Sequence, residues 1–381
     1  MARILLIAAA LLASASAAAH SPTPKAACNE PKLACATAAT PFAAPDGSLW
    51  LAWSAGGRVA VARSVDGKSF GPARIVSGSP ATIDDGGEAR PKVFAHKDRV
   101  YVTWTARRAK GFEGDAWLAR SADGRSFSAP VRLSDNPASQ RFETLVTAPD
   151  GSLGAVWIDK RNGSALAAAW SKDGGASFGP SRILGDRSCE CCRLGTATLP
   201  NGTAAVVWRA VFPGSIRDHA AATIGPEGMG PIRRVAVDDW KIEACPHHGP
   251  ALSVDGQGVW QAAWFTDGAA RQGLFHARSA DGQTFSAPRV IGNPDNQPGH
   301  PQLLVTGATT WLAWKEFDGT QASVWAQSSA DGGANWSSPY RVAATAGASD
   351  HPQLVVFGGT ARLSWLTRAE GWRLLELEGA P

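Results

Sequence analysis

Residues 121–133 read SADGRSFSAPVRL, and related segments recur along the chain. Each has the pattern Ser-x-Asp-Gly followed by an aromatic residue, and most continue with a proline and a short apolar run. Asp and Gly tolerate a left-handed backbone, and an Asp side chain can accept hydrogen bonds from neighbouring amides. The pattern therefore predicts a turn whose aromatic side chain fixes a hairpin to its sheet. The five copies begin at Ser64, Ser121, Ser171, Ser279 and Ser329.

A second repeat consists of alternating strands that end in tryptophan, such as VYVTW at 100–104. Successive copies are separated by 51, 53, 51, 56, 50 and 51 residues. A unit of this length supplies one four-stranded sheet, which cannot bury both faces without neighbouring copies. The repeat predicts an all-β fold, a β-propeller of seven four-stranded blades, with six blades and an appended hairpin as the alternative. The strands end at Trp53, Trp104, Trp157, Trp208, Trp264, Trp314 and Trp365.

Together the two motifs resemble the Asp-box, or BNR, repeats of the sialidase superfamily, over nearly the whole chain after its first segment. The resemblance implies a sialidase-like propeller, although sialidase propellers have six blades and seven tryptophan strands are present here. The last unit, from Asp350 to near Glu378, has neither an Asp box nor an evident fourth strand. Residues 20–38 are therefore predicted to supply that strand and close the ring, and residues 39–381 to form the propeller.

The chain carries a formal charge of +4 over 381 residues and has no basic run, which gives no case for nucleic-acid binding. In residues 1–19, Arg3 precedes an apolar run that small residues follow, which is the pattern of a signal peptide. A membrane span needs about 20 apolar residues, so this run is too short, and no later segment qualifies. We therefore expect an exported protein without a membrane span, either periplasmic or secreted.

Ligand sites of propellers usually lie at one mouth of the central channel, beside the segments that lead into the innermost strand of each blade. We number the strands of a blade one to four from the channel outward. The segment RSCECC (187–192) leads into strand one of blade four, and ACPHH (244–248) leads into strand one of blade five. His300 and His351 occupy matching positions in blades six and seven, whereas His96 and His276 map elsewhere.

Thiolates and imidazoles are the ligands that copper(I) and zinc prefer. Their convergence predicts a soft-metal site at the channel mouth, with copper before zinc. The candidate ligands are Cys189, Cys191, Cys192, His219, Cys245, His247 and His248. Two alternatives stay open, namely structural disulfides, such as Cys245 to one of the other three cysteines, and a redox-active thiol pair. Cys28 and Cys35 are predicted to form a separate disulfide.

The resemblance to sialidases also implies a tyrosine nucleophile paired with a glutamate, an aspartate acid/base and three arginines that bind the substrate carboxylate. Tyr101 and Tyr340 are the chain's two tyrosines and map away from the channel mouth, so ordinary sialidase activity is not expected. The alternative function is a glycan-binding or glycoside-hydrolase propeller whose cysteines are structural disulfides. Its candidate residues are Arg90, Arg141, Glu143, Asp159, Arg217, Asp218 and Asp239, with Trp240 as a sugar platform. A scaffold for protein partners is a third option.

Overall fold

The computed structural model describes residues 28–108, 113–185 and 187–378. Within these ranges 28 strands form seven antiparallel sheets, which confirms the predicted seven-bladed β-propeller. The strands of each blade follow one another in chain order, and around most of the ring strand one packs against strand one of the neighbouring blade. No helix in the described ranges is long and apolar enough to cross a membrane. The predicted signal peptide, residues 1–19, lies outside the described residues.

The first three blades have four strands each. Blade one contains β1 (Ala39–Ala43), β2 (Leu49–Ala55), β3 (Arg58–Ser64) and β4 (Arg74–Ile75). Blade two contains β5 (Lys92–His96), β6 (Arg99–Arg107), β7 (Gly114–Ser121) and β8 (Val131–Arg132). Blade three contains β9 (Gln140–Thr147), β10 (Leu153–Asp159), β11 (Ala165–Ser171) and β12 (Arg182–Ile183).

The remaining blades vary at their outer edge. Blade four contains β13 (Gly195–Thr198), β14 (Ala204–Arg209), β15 (His219–Gly225), β16 (Gly228–Met229) and β17 (Arg233–Arg234), and the last two share the edge of β15. Blade five contains β18 (Ala251–Val254), β19 (Trp260–Asp267), β20 (Gln272–Ser279) and β21 (Arg289–Ile291). Blade six contains β22 (Gly299–Thr306), β23 (Thr309–Phe317), β24 (Ala322–Ser329) and β25 (Tyr340–Thr345). Blade seven contains β26 (Gln353–Phe357), β27 (Thr360–Thr367) and β28 (Gly371–Glu376).

The hydrophobic core is distributed around the ring, between neighbouring blades. Because each sheet is covered on both faces, all seven residues of β2 and all seven of β10 are buried. The repeated tryptophans lie in strand two and fill the space between sheets. Trp208 of blade four, for example, belongs to one buried cluster with Val156 and Ile158 of blade three. Small residues on the same strands let adjacent sheets approach to native packing density.

The Ser-x-Asp-Gly segments form the predicted turns between strands three and four. In blade two, Asp123 Oδ1 accepts hydrogen bonds from the backbone N–H groups of Ser126 and Arg125, both at 2.8 Å, and from Ser121 Oγ at 2.9 Å. These bonds lower the pKa of Asp123 to about 2. Gly124 has φ +67°, and a Cβ there would lie 2.7 Å from the Trp50 ring of blade one. Each turn therefore also serves as a contact between blades.

The described part of the amino-terminal segment, residues 28–38, does not supply the expected fourth strand of blade seven, which is three-stranded in the described ranges. The predicted disulfide between Cys28 and Cys35 is present. It holds the two Cα atoms 5.9 Å apart, so the intervening chain cannot run as an extended strand. The segment instead forms a 3₁₀ turn, Leu33–Cys35, that packs in one cluster with side chains of blades one and seven. Residues 20–27 lie outside the described residues.

A buried ion pair joins the two ends of the ring. The Arg90 guanidinium, just before β5, donates to both carboxylate oxygens of Asp350, just before β26, at 2.8 and 2.7 Å. The backbone N–H of Ala39, the first residue of β1, donates to the same carboxylate at 3.0 Å. Both side chains of the pair are almost fully buried. Blades one, two and seven therefore meet at a single clasp beside the channel.

Candidate ligand and metal sites at the channel mouth

The segments that lead into the strands one meet around a cavity of about 400 Å³. A second cavity, of about 630 Å³, lies between blades five and six and shares His248 and His300 with the first. The residues that line the first cavity include Asp84, Glu88, Arg107, Arg141, Phe142, Pro246, His247, His248, His300 and His351. Residues from or next to the lead-in segments of blades two, three, five, six and seven therefore meet at this cavity.

Glu88 is the centre of this mouth, and the sequence analysis did not single it out. Its Oε1 lies 2.6 Å from Nη1 of Arg193, and its Oε2 accepts the backbone N–H groups of Gly249 at 2.8 Å and Arg193 at 3.1 Å. Burial opposes ionisation of Glu88, but the charge of Arg193 and a hydrogen bond from His300 hold its pKa well below the usual range. Glu88 thus ties blade two to the lead-in segments of blades four and five. In the sequence, only its position two residues before Arg90, a residue predicted to lie at the mouth, pointed to this location.

Three histidines form a stack beside Glu88. The ring centroids of His300 and His351 are 3.4 Å apart, those of His248 and His300 are 4.6 Å apart, and His248 stacks on Phe265 at 4.3 Å. Nδ1 of His300 lies 3.3 Å from Glu88 Oε1. Burial lowers the pKa of all three imidazoles, that of His248 to about 3, so the stack is neutral at pH 7. Neutral imidazoles offer the cavity both hydrogen-bond donors and acceptors.

The backbone around the mouth is strained at several residues. Phe142 and His300 have φ of +59° and +53°, and each lies where the pairing of strands one and two shifts register. His247 has φ +54°. Such left-handed conformations are uncommon for residues other than glycine and concentrate at ligand and active sites. The bulges turn these side chains out of the regular strand pattern and toward the mouth.

Cys189, Cys191 and Cys192 form a compact buried cluster. Their Sγ atoms are 3.3 Å (Cys189 to Cys191), 3.7 Å (Cys189 to Cys192) and 3.9 Å (Cys191 to Cys192) apart. Nη1 of Arg217 donates to Cys189 Sγ at 3.2 Å. Hydrogen bonds from the other two thiols lower the pKa of Cys189, whereas burial raises the pKa of Cys192 to about 12. The three cysteines and Arg217 therefore form one hydrogen-bonded group.

An outer set extends the cluster toward solvent. The ligand atoms of Cys191, Cys245 and His247 all lie within 4.8 Å of one another, and Cys245 and His247 are exposed. His247 also lines the cavity of about 400 Å³. Cys189, Cys191, Cys192 and Cys245 are all free thiols in this structure.

Two predicted metal ligands lie apart from these thiols. His219, the first residue of β15, is fully buried, and neither of its ring nitrogens has a hydrogen-bond partner among the described residues. Its ring lies beside the ring of Trp264, with the two centroids 6.2 Å apart, because β15 directs it into the space between blades four and five. His248 belongs to the histidine stack, since its ring lies between Phe265 and His300.

The predicted arginines are all engaged by partners within the protein. Arg90 forms the clasp with Asp350. Nε of Arg141 donates to Asp84 Oδ2 at 2.7 Å, so this arginine lines the mouth as part of an ion pair. Arg217 donates to the Ile242 carbonyl at 2.9 Å and to Cys189. Of the three, Arg141 lines the cavity.

The predicted carboxylates each have hydrogen-bond or ion-pair partners within the protein. Glu143 is buried beneath the mouth, where its Oε2 accepts the Thr105 hydroxyl at 2.7 Å, and burial raises its pKa. Asp159 is fully buried and accepts from Trp157 and Arg161, both at 2.9 Å. Asp218 is fully buried and paired with Arg234, and it also accepts three backbone N–H groups of residues 238–240. Asp239 is half-exposed and pairs with the same arginine.

The aromatic candidates are also accounted for. The Tyr101 hydroxyl donates to the Gly174 carbonyl at 3.3 Å, within a Ser-x-Asp-Gly turn and therefore on the face opposite the mouth. Tyr340 begins the outer strand β25. Trp240 was predicted to be a sugar platform, but it is buried, with the Arg209 guanidinium 4.6 Å from its ring centroid and Phe265 at its edge. No face of Trp240 is left for a sugar.

No protein-family model matches the sequence. No curated protein matches it either. Among solved structures, an ulvan lyase of polysaccharide lyase family PL25, bound to -[GlcA(1-4)Rha3S]-, has a TM-score of 0.59 at 12% identity, over 89% of this chain and 92% of that one. An α-L-arabinanase of Penicillium chrysogenum, complexed with arabinobiose, has a TM-score of 0.51 at 15% identity, over 78% and 94%. The polysaccharide lyase Uly1 has a TM-score of 0.51 at 10% identity, over 87% and 88%. At these identities the likeness shows a shared β-propeller fold.

Proposed function

We propose that the protein binds a glycan at the channel mouth, the function that the sequence analysis carried as its alternative. The observation that carries the proposal is the cavity of about 400 Å³ that the histidine stack, Arg141 and Phe142 line. Concave sites with aromatic walls and a few converging polar groups are the usual form of small-ligand sites. The ulvan lyase and the arabinanase that share the fold are described with oligosaccharides bound, which supports this ligand class.

The composition of the wall suits sugar hydroxyls, each of which donates and accepts a hydrogen bond. A neutral imidazole has one N–H and one acceptor nitrogen, so His300, whose Nδ1 faces Glu88, keeps Nε2 as an acceptor for a sugar hydroxyl. Stacking on His351 fixes the orientation of this ring. Arg107 and Arg141 supply further donors from their ion pairs with Asp84. The proposal is binding rather than bond cleavage, because Asp84 and Glu88, the carboxylates that line the cavity, are each paired with an arginine.

Binding can be tested with a panel of arabinan and uronic-acid oligosaccharides by isothermal titration calorimetry. We expect at least one fragment to bind, and His300→Ala to weaken it by roughly tenfold, which corresponds to one lost wall contact. The matched control is His96→Ala, at the end of β5 and outside the residues that line the mouth. Absence of binding by every fragment, or equal affinity of parent and His300→Ala, would contradict the proposal.

We also propose that the Cys/His cluster binds a soft metal ion, copper before zinc. The specific observation in its favour is that four free thiols and the imidazole of His247 lie together at one site. Such sulfur-rich sites select copper(I) or zinc. Elemental analysis of purified protein, with a thiol titration before and after removal of metal, is the test. A metal-free protein in which the four thiols have formed two disulfides would show that the cysteines are structural staples.

We propose that the protein acts in the periplasm or outside the cell. The signal-peptide pattern of residues 1–19 supports this location. The Cys28–Cys35 disulfide also supports it, because disulfides persist in oxidising compartments. Cell fractionation with antibody detection tests the location, and recovery of the protein in the cytosol with its amino terminus intact would refute it.

A further inference from the structure

We propose that the cysteine cluster is a binuclear copper(I) site in which the Cys191 thiolate bridges two ions. This inference rests on the proposed metal binding and goes beyond it by fixing the number of ions. Two sets of three ligand atoms are each close enough to hold a metal, Cys189 with Cys191 and Cys192, and Cys191 with Cys245 and His247. The two sets share only Cys191, which places one ion on either side of its sulfur.

The inner set has the dimensions of a three-coordinate site. Three sulfurs around one ion in a plane, with bonds of about 2.3 Å, lie roughly 4 Å from one another. Two of the observed separations, 3.7 and 3.9 Å, are close to that value. The third, 3.3 Å between Cys189 and Cys191, requires these two sulfurs to move apart by about 0.7 Å. The three cysteines are buried, so this ion would be shielded from water.

The outer set differs in exposure and in donor type. Cys245 lies on the surface, and His247 contributes a nitrogen, so the second ion would have two sulfurs and one nitrogen. Cys245 Sγ does not share a set of ligand atoms, all within 4.8 Å of one another, with Cys189 or Cys192. A single tetrahedral ion bound by all four cysteines would need sulfur separations of about 3.8 Å throughout. The observed arrangement therefore favours two sites over one.

The charges around the cluster favour two monovalent ions. Four thiolates carry a charge of −4, and two copper(I) ions leave −2. Nη1 of Arg217 donates to Cys189 Sγ, and Arg209 is a buried neighbour whose backbone carbonyl accepts the Cys189 N–H at 2.9 Å. Two guanidinium groups are therefore available to offset that remainder. The carboxylate of Glu190, between the cysteines, is itself paired with Lys160 at 2.6 Å. Two zinc(II) ions would already neutralise the four thiolates, so the same two guanidinium groups would leave a net charge of +2 in a mostly buried site, which is costly.

The number of ions is measured by titrating the reduced full chain, under anaerobic conditions, with copper(I) against the chromogenic chelator bicinchoninate. The parent should hold two equivalents, and X-ray absorption should show a copper–copper scattering vector. Cys245→Ser and His247→Ala alter only the outer set, so each should retain one equivalent. Cys191→Ser should lose both high-affinity ions. His96→Ala is the control for copper bound elsewhere and should match the parent.

The outcomes separate this inference from the broader proposal. One equivalent in the parent would overturn the bridged pair and leave metal binding standing, whereas no bound copper would overturn both. Two equivalents that persist in Cys191→Ser would place the ions elsewhere and also overturn the inference. Circular dichroism shows whether Cys191→Ser folds. If it does not, the Cys245→Ser variant, which changes an exposed residue, decides alone. Retention of two copper equivalents in Cys245→Ser would contradict the bridged pair.

Discussion

At the scale of single residues, a buried imidazole links the stability of the propeller to pH. His276 in β20 is buried, and its Nε2 lies 2.8 Å from Gln261 Oε1. Burial lowers the pKa of His276 to about 3, whereas in the unfolded chain it is about 6.5. The unfolded state therefore takes up a proton first as the pH falls. The stability that this residue contributes is complete above pH 6.5 and is lost as the pH falls toward 3.

We expect His276 alone to lower the free energy of unfolding by about 2 kcal/mol between pH 7.5 and pH 5. Urea denaturation of the parent and of His276→Gln at both pH values measures this effect. The variant should lose about 2 kcal/mol less than the parent over the same interval. Equal losses in the two proteins would show that His276 takes up its proton in the folded state.

The placement of the tyrosines leads to a prediction about catalysis. Because Tyr101 contacts a turn on the opposite face and Tyr340 begins an outer strand, neither can serve as a nucleophile at the mouth. We expect no hydrolysis of a fluorogenic sialoside above a heat-inactivated control. Turnover that disappears in Tyr101→Phe or Tyr340→Phe would refute this placement.

Sequence reasoning recovered part of the residue-scale chemistry. It brought Cys191, Cys245 and His247 together because their lead-in segments occupy equivalent positions in a repeat. It could not separate His248 from His247, since a left-handed residue at 247 decides which imidazole turns toward the thiols. Glu88 was missed for a different reason. A glutamate in a polar loop resembles a solvated side chain until its partner Arg193, 105 residues away in sequence, is placed beside it.

At the scale of elements, the Ser-x-Asp-Gly turns combine local hydrogen bonds with contacts between blades. We expect Asp123→Ala to lower the free energy of unfolding, because two backbone N–H groups and the Ser121 hydroxyl lose their acceptor. Thermal and urea denaturation measure the loss. Asp123→Asn keeps one acceptor oxygen and should cost less. Two variants as stable as the parent would mean that water replaces these bonds at no cost.

The elements that the sequence predicted are those that repeat. The second strand of each blade recurs with its tryptophan, and the turns recur with their aspartates. The number and order of these elements could therefore be read from the spacing of the two motifs. The outer strands could not, since β4, β8 and β12 have two residues each and carry no periodicity. The amino-terminal segment was expected to be a strand because blade seven lacked one. A disulfide loop that packs by its side chains leaves no alternating pattern by which it could have been recognised.

At the scale of the whole molecule, the clasp between Arg90 and Asp350 holds the ring closed. We expect Asp350→Ala to lower the free energy of unfolding by about 3–5 kcal/mol, because it leaves a buried guanidinium without its partner. Urea denaturation measures the loss. Glu376→Ala is the matched control, since it breaks a more exposed pair with Arg362 in the same blade and should cost at most about 1 kcal/mol. If the two variants lost similar free energies of unfolding, the apolar contacts between blades one and seven, rather than the ion pair, would hold the ring closed.

The clasp also sets a condition on how the protein reaches its native state. Within a blade, each strand pairs with the next one along the chain, so these contacts form between near neighbours and can form quickly. Arg90 and Asp350 are separated by 260 residues, and so almost the whole polypeptide must exist before they can meet. A chain interrupted during synthesis can hold correctly paired blades and still be an open arc whose terminal sheets expose apolar faces. Ring closure is therefore the step at which this propeller is most vulnerable to association with other copies.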